Sequence, residues 1–247
     1  MFYVIVFYTI KNINLKSNFI MKTFVLLILS LVLSSQAFSL PNDTLSRNPG
    51  DFHALVVFGN IKVKMVKSDS TFLTMSSGNY DVNKVITKVE KGVLTLRSNA
   101  IGDSKEVFVT LYFKTLDNIK VDAGANVVQT DTIASPSLTI KIVKGSLMRA
   151  LVETENLTVT ATQGSEIRLA GTAKNLSVTS NSGAFFDSFA LISISADVKA
   201  NTGGKINLYV KENIKAKAKT GAVINYKGNP KTESVEPVMG GEINKVN

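Results

Sequence analysis

The chain has 247 residues, 45% of them hydrophobic and 19% charged, with a net charge of +9. That is globular composition, away from the low-hydrophobicity, high-charge range of disordered chains. It contains no Cys, no Trp and one His, which excludes disulfides, thiolate nucleophiles, Cys-ligated metals and any site built on two imidazoles.

Residues 1–39 carry Lys11, Lys16 and Lys22 and no acid. An apolar run from Phe24 to Leu33 follows, then the small-x-small ending Ala37-Phe38-Ser39. A basic start, a short apolar core and such an ending predict a secretory signal peptide over 1–39. Met21-Lys22-Thr23-Phe24 resembles a normal start of such a signal, which would put 1–20 upstream of the true start. The apolar core is too short to span a bilayer, which takes about 20 residues. No Cys follows it to take a lipid. No integral membrane span is therefore expected after cleavage. The lysine excess favours anionic envelope surfaces such as lipopolysaccharide, or acidic glycans. Nucleic acid is not an expected partner, because no aromatic–basic cluster offers to stack bases.

Residues 40–50 are polar, include Pro41 and Pro49, and read as a linker. Ala54–Val66, Val82–Val89, Val93–Leu96 and Val107–Phe113 alternate apolar and polar residues and predict strands. No segment beyond residue 40 shows helical periodicity.

The second half repeats. Glycines recur at Gly124, Gly145, Gly164, Gly183, Gly203 and Gly221, spaced 18 to 21 residues apart. A small residue follows each: Ala125, Ser146, Ser165, Ala184, Gly204 and Ala222. Five residues before each glycine stands Ile119, Ile140, Val159, Val178, Val198 or Ala216. Seven before stands Asp117, Leu138, Leu157, Leu176, Ala196 or Ile214. A unit this short cannot bury its own apolar face. Stacked at the ~4.8 Å strand spacing, like residues form ladders and close a continuous interior. The prediction is an all-β, single-stranded, right-handed parallel β-helix of about six coils of 18–21 residues. Its glycines would be structural corners, each supplying a positive φ or a close backbone approach. A β-sandwich of regular hairpins is the competing fold. Its turns would favour Asn-Gly or Asp-Gly, and none lies among these glycines. Residues 51–115 are expected to form an N-terminal strand-rich cap, 116–226 the coils, and 227–247 a C-terminal cap folded over the last coil.

The order of segments resembles a known family. Asp51-Phe-His-Ala-Leu-Val-Val-Phe-Gly-Asn-Ile-Lys-Val-Lys64 is followed by Leu116-Asp-Asn-Ile-Lys-Val-Asp-Ala-Gly-Ala125, then the Gly-small repeats, Tyr226-Lys-Gly-Asn-Pro230 and Gly240-Gly241. This is similar to the auto-transporter adhesin family called the head GIN domain, over nearly all of 51–247. The resemblance implies a β-helix in the envelope or outside the cell, and it supplies no catalytic residues. Phe185, Phe186 and Phe189 crowd one unit, so its register departs from the tidier ones.

Chemistry is sparse. The acids Asp117, Asp122, Asp131, Glu153, Glu155, Glu166, Asp187 and Asp197 fall at different repeat offsets and build no vertical cluster. Arg149 and Arg168 stand four residues after their glycines and are expected as neighbours near Glu166. His53 has no Ser or Cys nucleophile motif beside it. No catalytic residue, metal site or cofactor is assigned. The outward positions of one strand read Thr139/Lys141, Thr158/Thr160, Ser177/Thr179, Asp197/Lys199 and Lys215/Lys217. Stacked, they form a face of hydroxyls grading into lysines, a candidate surface for glycans. The expected function is adhesion or surface interaction by an exported, non-enzymatic β-helix. A self-assembling periplasmic solenoid and a polysaccharide-active enzyme are the alternatives.

Overall fold

The computed structural model describes residues 44–99 and 105–247. The signal peptide expected over 1–39 lies outside the described residues. Sixteen strands are present among them: β1 (Leu45–Arg47), β2 (Ala54–Phe58), β3 (Ile61–Lys67), β4 (Phe72–Ser77), β5 (Ile86–Glu90), β6 (Val93–Arg97), β7 (Val107–Phe113) and β8 (Asn118–Asp122). The long strands follow: β9 (Asn126–Ile142), β10 (Leu147–Thr162), β11 (Glu166–Asn181), β12 (Phe185–Asn201) and β13 (Lys205–Lys219). Three short ones close the chain: β14 (Val223–Lys227), β15 (Thr232–Val238) and β16 (Glu242–Lys245); a 3-10 turn, Val82–Lys84, sits earlier, ahead of β5.

The long strands wrap around a common interior. In β9 the alternation of buried and exposed residues breaks at Thr130–Thr132 and again at Pro136–Ser137. Each long strand therefore covers three sides of a coil. Face 1 lies before the corner glycine (138–142 and equivalents), face 2 after it (126–129), and face 3 between (132–135). β9 to β13 pair in parallel, almost in register, so like residues stack. Leu138, Leu157, Leu176, Ala196 and Ile214 form one buried column; Ile140, Val159, Val178, Val198 and Ala216 form the next. On face 2 the column is Val127, Met148, Ile167, Phe186, Ile206 and Ile224. The fold is a β-solenoid of about seven turns. In the crowded unit Phe186 is fully buried, and the pairing slips between Ile167 and Gly171 and again between Ser188 and Ile192.

At each corner two consecutive residues adopt positive φ: Ala123/Gly124 (57, 80), Lys144/Gly145 (55, 67), Gln163/Gly164 (57, 67), Ser182/Gly183 (51, 70), Thr202/Gly203 (49, 69) and Thr220/Gly221 (53, 66). A Cβ on these corner glycines would meet nothing within 4 Å. Of the two roles expected for them, positive φ is thus the one they fill. The close approach falls one residue later. A Cβ on Gly204 would lie 2.4 Å from the Ser180 carbonyl oxygen, and Ala125, Ala184 and Ala222 are fully buried. Where that residue is serine it also closes the corner: Ser146 Oγ donates to the Val143 carbonyl at 2.7 Å and accepts from Gly124 N at 3.1 Å.

Both ends differ from the sequence expectation. β2 and β3 stack in parallel against β8 and the start of β9, with Leu55 beside Ile119 and Val63 beside Val127. They are coil, not cap. Their corner escaped the repeat pattern because Phe58 pairs Asp122 and Lys62 pairs Asn126. That register sets Gly59 opposite Ala123, one place ahead of the repeating glycine. β6 and β7, later in sequence, lie on the far side of β2 and β3, also in parallel. The chain gets there through β4 and β5, which run antiparallel to β7 and β6. β1 falls within the expected linker and pairs with β4, and Arg47 Nη1 donates to the Val85 carbonyl at 2.7 Å. The strand expected over Val82–Val89 begins only at Ile86, because Asp81 accepts from Asn83 N at 3.0 Å and caps the 3-10 turn. At the other end β15 and β16 do not fold over the last coil. They add to it, pairing in parallel with β13 and β14 through a seventh corner, Met239/Gly240 (φ 50, 73).

Candidate binding face

The register of face 1 brings the predicted surface together. Thr139, Thr158, Ser177, Asp197, Lys215 and Ser234 form one outward column. Lys120, Lys141, Thr160, Thr179, Lys199, Lys217 and Glu236 form the second. The strands hold these side chains outward because their neighbours are the buried Leu and Val ladders, and alternation leaves no other direction. Lys120 and Lys141 open the second column, hydroxyls fill its middle, and Lys199 and Lys217 precede Glu236 at its end.

Beside the first column, at the corner with face 3, runs a column the sequence reading missed: Ser137, Asn156, Asn175, Ser195 and Asn213. Asn175 Nδ2 donates to Asn156 Oδ1 at 2.9 Å, and Asn213 Nδ2 donates to Ser195 Oγ at 3.1 Å. A groove of about 460 Å³ lies along these two columns, lined by their amides and hydroxyls together with Asp197 and Lys215, and reaches Thr232 and Ser234 on the last coil. A second amide ladder on face 2 runs Asp187, Asn207, Asn225, Asn244, each asparagine donating to the coil before it at 3.0 to 3.2 Å. Its signal was available, since all four residues stand four places after a corner glycine.

Charge gathers at the C-terminal end of face 1. Lys217 Nζ bonds Glu236 Oε1. That hydrogen bond holds the Glu236 carboxyl below the usual 4.5 against some desolvation, and the charges of Lys217, Lys219 and Lys215 add to the effect. Lys141, Lys199 and Lys215 form no salt bridge among the described residues. Asp122 is buried between Lys120 Nζ (3.3 Å) and Lys144 Nζ (3.6 Å), and Glu155 pairs with Lys174, which holds its carboxyl low. Arg149 and Arg168 are register partners, and Arg168 Nε bonds Glu166 at 2.7 Å. His53 Nδ1 lies 3.1 Å from Asp117, both half-exposed. Among the described residues no group of three or more His, Asp or Glu is placed to hold a metal ion. None of the described helices is long and apolar enough to cross a membrane.

A parallel solenoid with polar, laddered outer faces defines a class of repeat protein that presents long flat surfaces. Within that class, the family described as "Putative auto-transporter adhesin, head GIN domain" matches residues 51–230, and the chain belongs to it. The fold recurs in a "putative adhesin" from Bacteroides fragilis at 20% identity, covering 82% of this chain and 96% of that one with a TM-score of 0.74. It recurs in a "putative adhesin" from Parabacteroides merdae at 18% identity, covering 83% and 96%, TM-score 0.63. A third is a "putative lipid binding protein" from Parabacteroides distasonis at 16% identity, covering 83% and 96%, TM-score 0.58. Among curated proteins none matches the chain.

Proposed function

We propose that this protein is an exported, non-enzymatic surface-interaction module of the adhesin type, which holds anionic envelope polymers on face 1. The observation that carries the reading is the pair of in-register columns whose hydroxyls give way to Lys215 in one and to Lys199 and Lys217 in the other, beside the groove. Repeated donors at strand spacing suit a repeating polymer, and clustered lysines attract it over the distance of a Debye length. Membership of the family supports an exported or surface location. The test is binding to lipopolysaccharide vesicles with salt titration. The parent should bind and weaken as salt rises. Replacing Lys199, Lys215 and Lys217 together by Gln should cost at least tenfold in affinity and flatten the salt dependence. Equal binding by the triple variant would overturn the reading. Protease digestion of the tagged protein on intact cells, with a periplasmic control left whole, is the result expected for a surface location.

A second reading is lipid contact through face 3, where Ile192 and Ile194 stand 38% and 41% exposed. They border a groove of about 790 Å³ that also includes Lys174 and Lys211. Binding to neutral phosphatidylcholine vesicles that is lost on Ile192→Ser with Ile194→Ser would favour it.

A further inference from the structure

Face 2 changes character at its N-terminal end. There Phe108 points outward and is 48% exposed. Its register neighbours are Lys62 on one side and Ser76 on the other. Two residues along the strands the row is Lys64, Thr110 and Thr74. Asn126 and Val128 extend the two columns onto the next coil. These residues line a groove of about 360 Å³.

A phenyl ring at an outward position contributes nothing to the core and leaves apolar surface in water. This one is held in place. Lys62 Nζ lies 5.6 Å from the ring centroid and 2.7 Å from Glu106 Oε2, so the ring sits against an anchored cation. Farther along the same strands Phe72 and Tyr112 stack with centroids 3.9 Å apart and planes 10° from parallel, which stiffens the neighbouring wall. The charged side chains lining the groove are Lys62 and Lys64, both cationic. Glu106 neutralises Lys62; Lys64 has no ionic partner among the described residues.

The groove thus offers one flat apolar ring, an array of short hydroxyls and an amide, and one uncompensated positive charge. That is the complement of a pyranose bearing a carboxylate. The C–H face of the sugar packs on Phe108, its hydroxyls bond Thr74, Thr110, Ser76 and Asn126, and its carboxylate meets Lys64. We propose that this groove is a binding site for hexuronate sugars, separate from face 1 and independent of the role proposed for it. The volume admits one or two sugar rings, within the usual size of small-ligand sites.

The chain has no Trp, so Phe108→Trp places a single indole in the groove while keeping a stacking ring. The purified Phe108→Trp protein is titrated with trimers of galacturonate, mannuronate and glucuronate, with the three monosaccharides, and with neutral galactotriose. The expected result is a saturable change in indole emission with at least one acidic trimer and tenfold weaker binding of galactotriose. Equal affinity for the matching monosaccharide assigns the site to a single sugar ring; tighter trimer binding assigns it to a polymer. By calorimetry on proteins lacking the indole, Phe108→Ala should lose the acidic sugar tenfold or more. Lys64→Gln should bring acidic and neutral sugars to the same affinity. Both side chains are exposed, so melting temperatures should match the parent's. No saturable response to any uronide overturns the proposal, as does unchanged binding by Phe108→Ala. Uronide binding lost only on replacing Lys199, Lys215 and Lys217 also overturns it, and leaves face 1 as the binding face.

Discussion

At the residue scale the corner is the unit that matters. The glycine of each corner was legible because only one side chain type tolerates positive φ freely. Its predecessor was not. Ala123, Lys144, Gln163, Ser182, Thr202 and Thr220 all adopt positive φ, yet share no chemistry that would mark them. They accept the left-handed region because parallel pairing on both sides fixes the corner. Two substitutions separate these roles. Gly164→Val places a β-branched residue at φ 67 in open space, so strain acts without a clash. It should cost about 1–3 kcal/mol. Gln163→Gly removes a strained side chain at φ 57 and should stabilise by up to about 1 kcal/mol, since the left-handed region costs an L-residue about 1–2 kcal/mol and the more flexible unfolded chain offsets part of the gain. Urea midpoints at constant m would read both. A neutral Gly164→Val would show that the glycine is replaceable at its corner.

At the scale of the strand, alternation made most elements legible, and where it failed a local hydrogen bond had won. Asp81 converts an alternating stretch into a 3-10 turn, and the asparagine ladders are side-chain pairings between coils that a single strand's pattern does not display. The outward columns of face 1 were legible for the same reason as the core, because fixing the inward set fixes the outward one. Their binding role is a separate matter, decided by charge. Glu236 is the one acid in the lysine column of face 1. Its folded pKa lies below 4.5, so the pair's contribution to stability is present above that value and fades as pH falls through the folded pKa. Over the same range the face loses a negative charge and its attraction for anionic polymers rises. Glu236→Gln should therefore strengthen binding to lipopolysaccharide vesicles at pH 7 and remove the further gain that the parent shows as pH falls through the folded pKa of Glu236. A variant that bound less tightly at pH 7 would show that Glu236 positions Lys217 rather than neutralising it.

At the scale of the whole molecule, the stack is not built in sequence order, and this the sequence hid. A glycine one place out of phase at Gly59 concealed a coil, and the return through β4 and β5 inserted β6 and β7 beyond it. The C-terminal end, by contrast, is written in the columns. Glu233 follows Leu138, Leu157, Leu176, Ala196 and Ile214 in register, so a carboxylate stands where the core would otherwise continue. Tyr226 OH donates to it at 3.0 Å and Lys245 Nζ approaches at 3.4 Å. Burial, then the bond to Glu233, pushes the Tyr226 hydroxyl above its ordinary 10.0, which keeps that proton in place. Pro237 follows Ala218 and offers no N–H to another strand. An inward charge and an edge proline are the devices that stop a sheet from growing. They argue against end-to-end assembly through this end, although Val235 beside them is 45% exposed. If they are the stop, Glu233→Leu with Pro237→Val should extend the apolar columns by one row and restore a donor to the edge. Sedimentation velocity should then show association that grows with concentration, while the parent stays at one size. A parent that already associates, with the double variant no different, would mean that assembly proceeds elsewhere and that Glu233 and Pro237 do not control it.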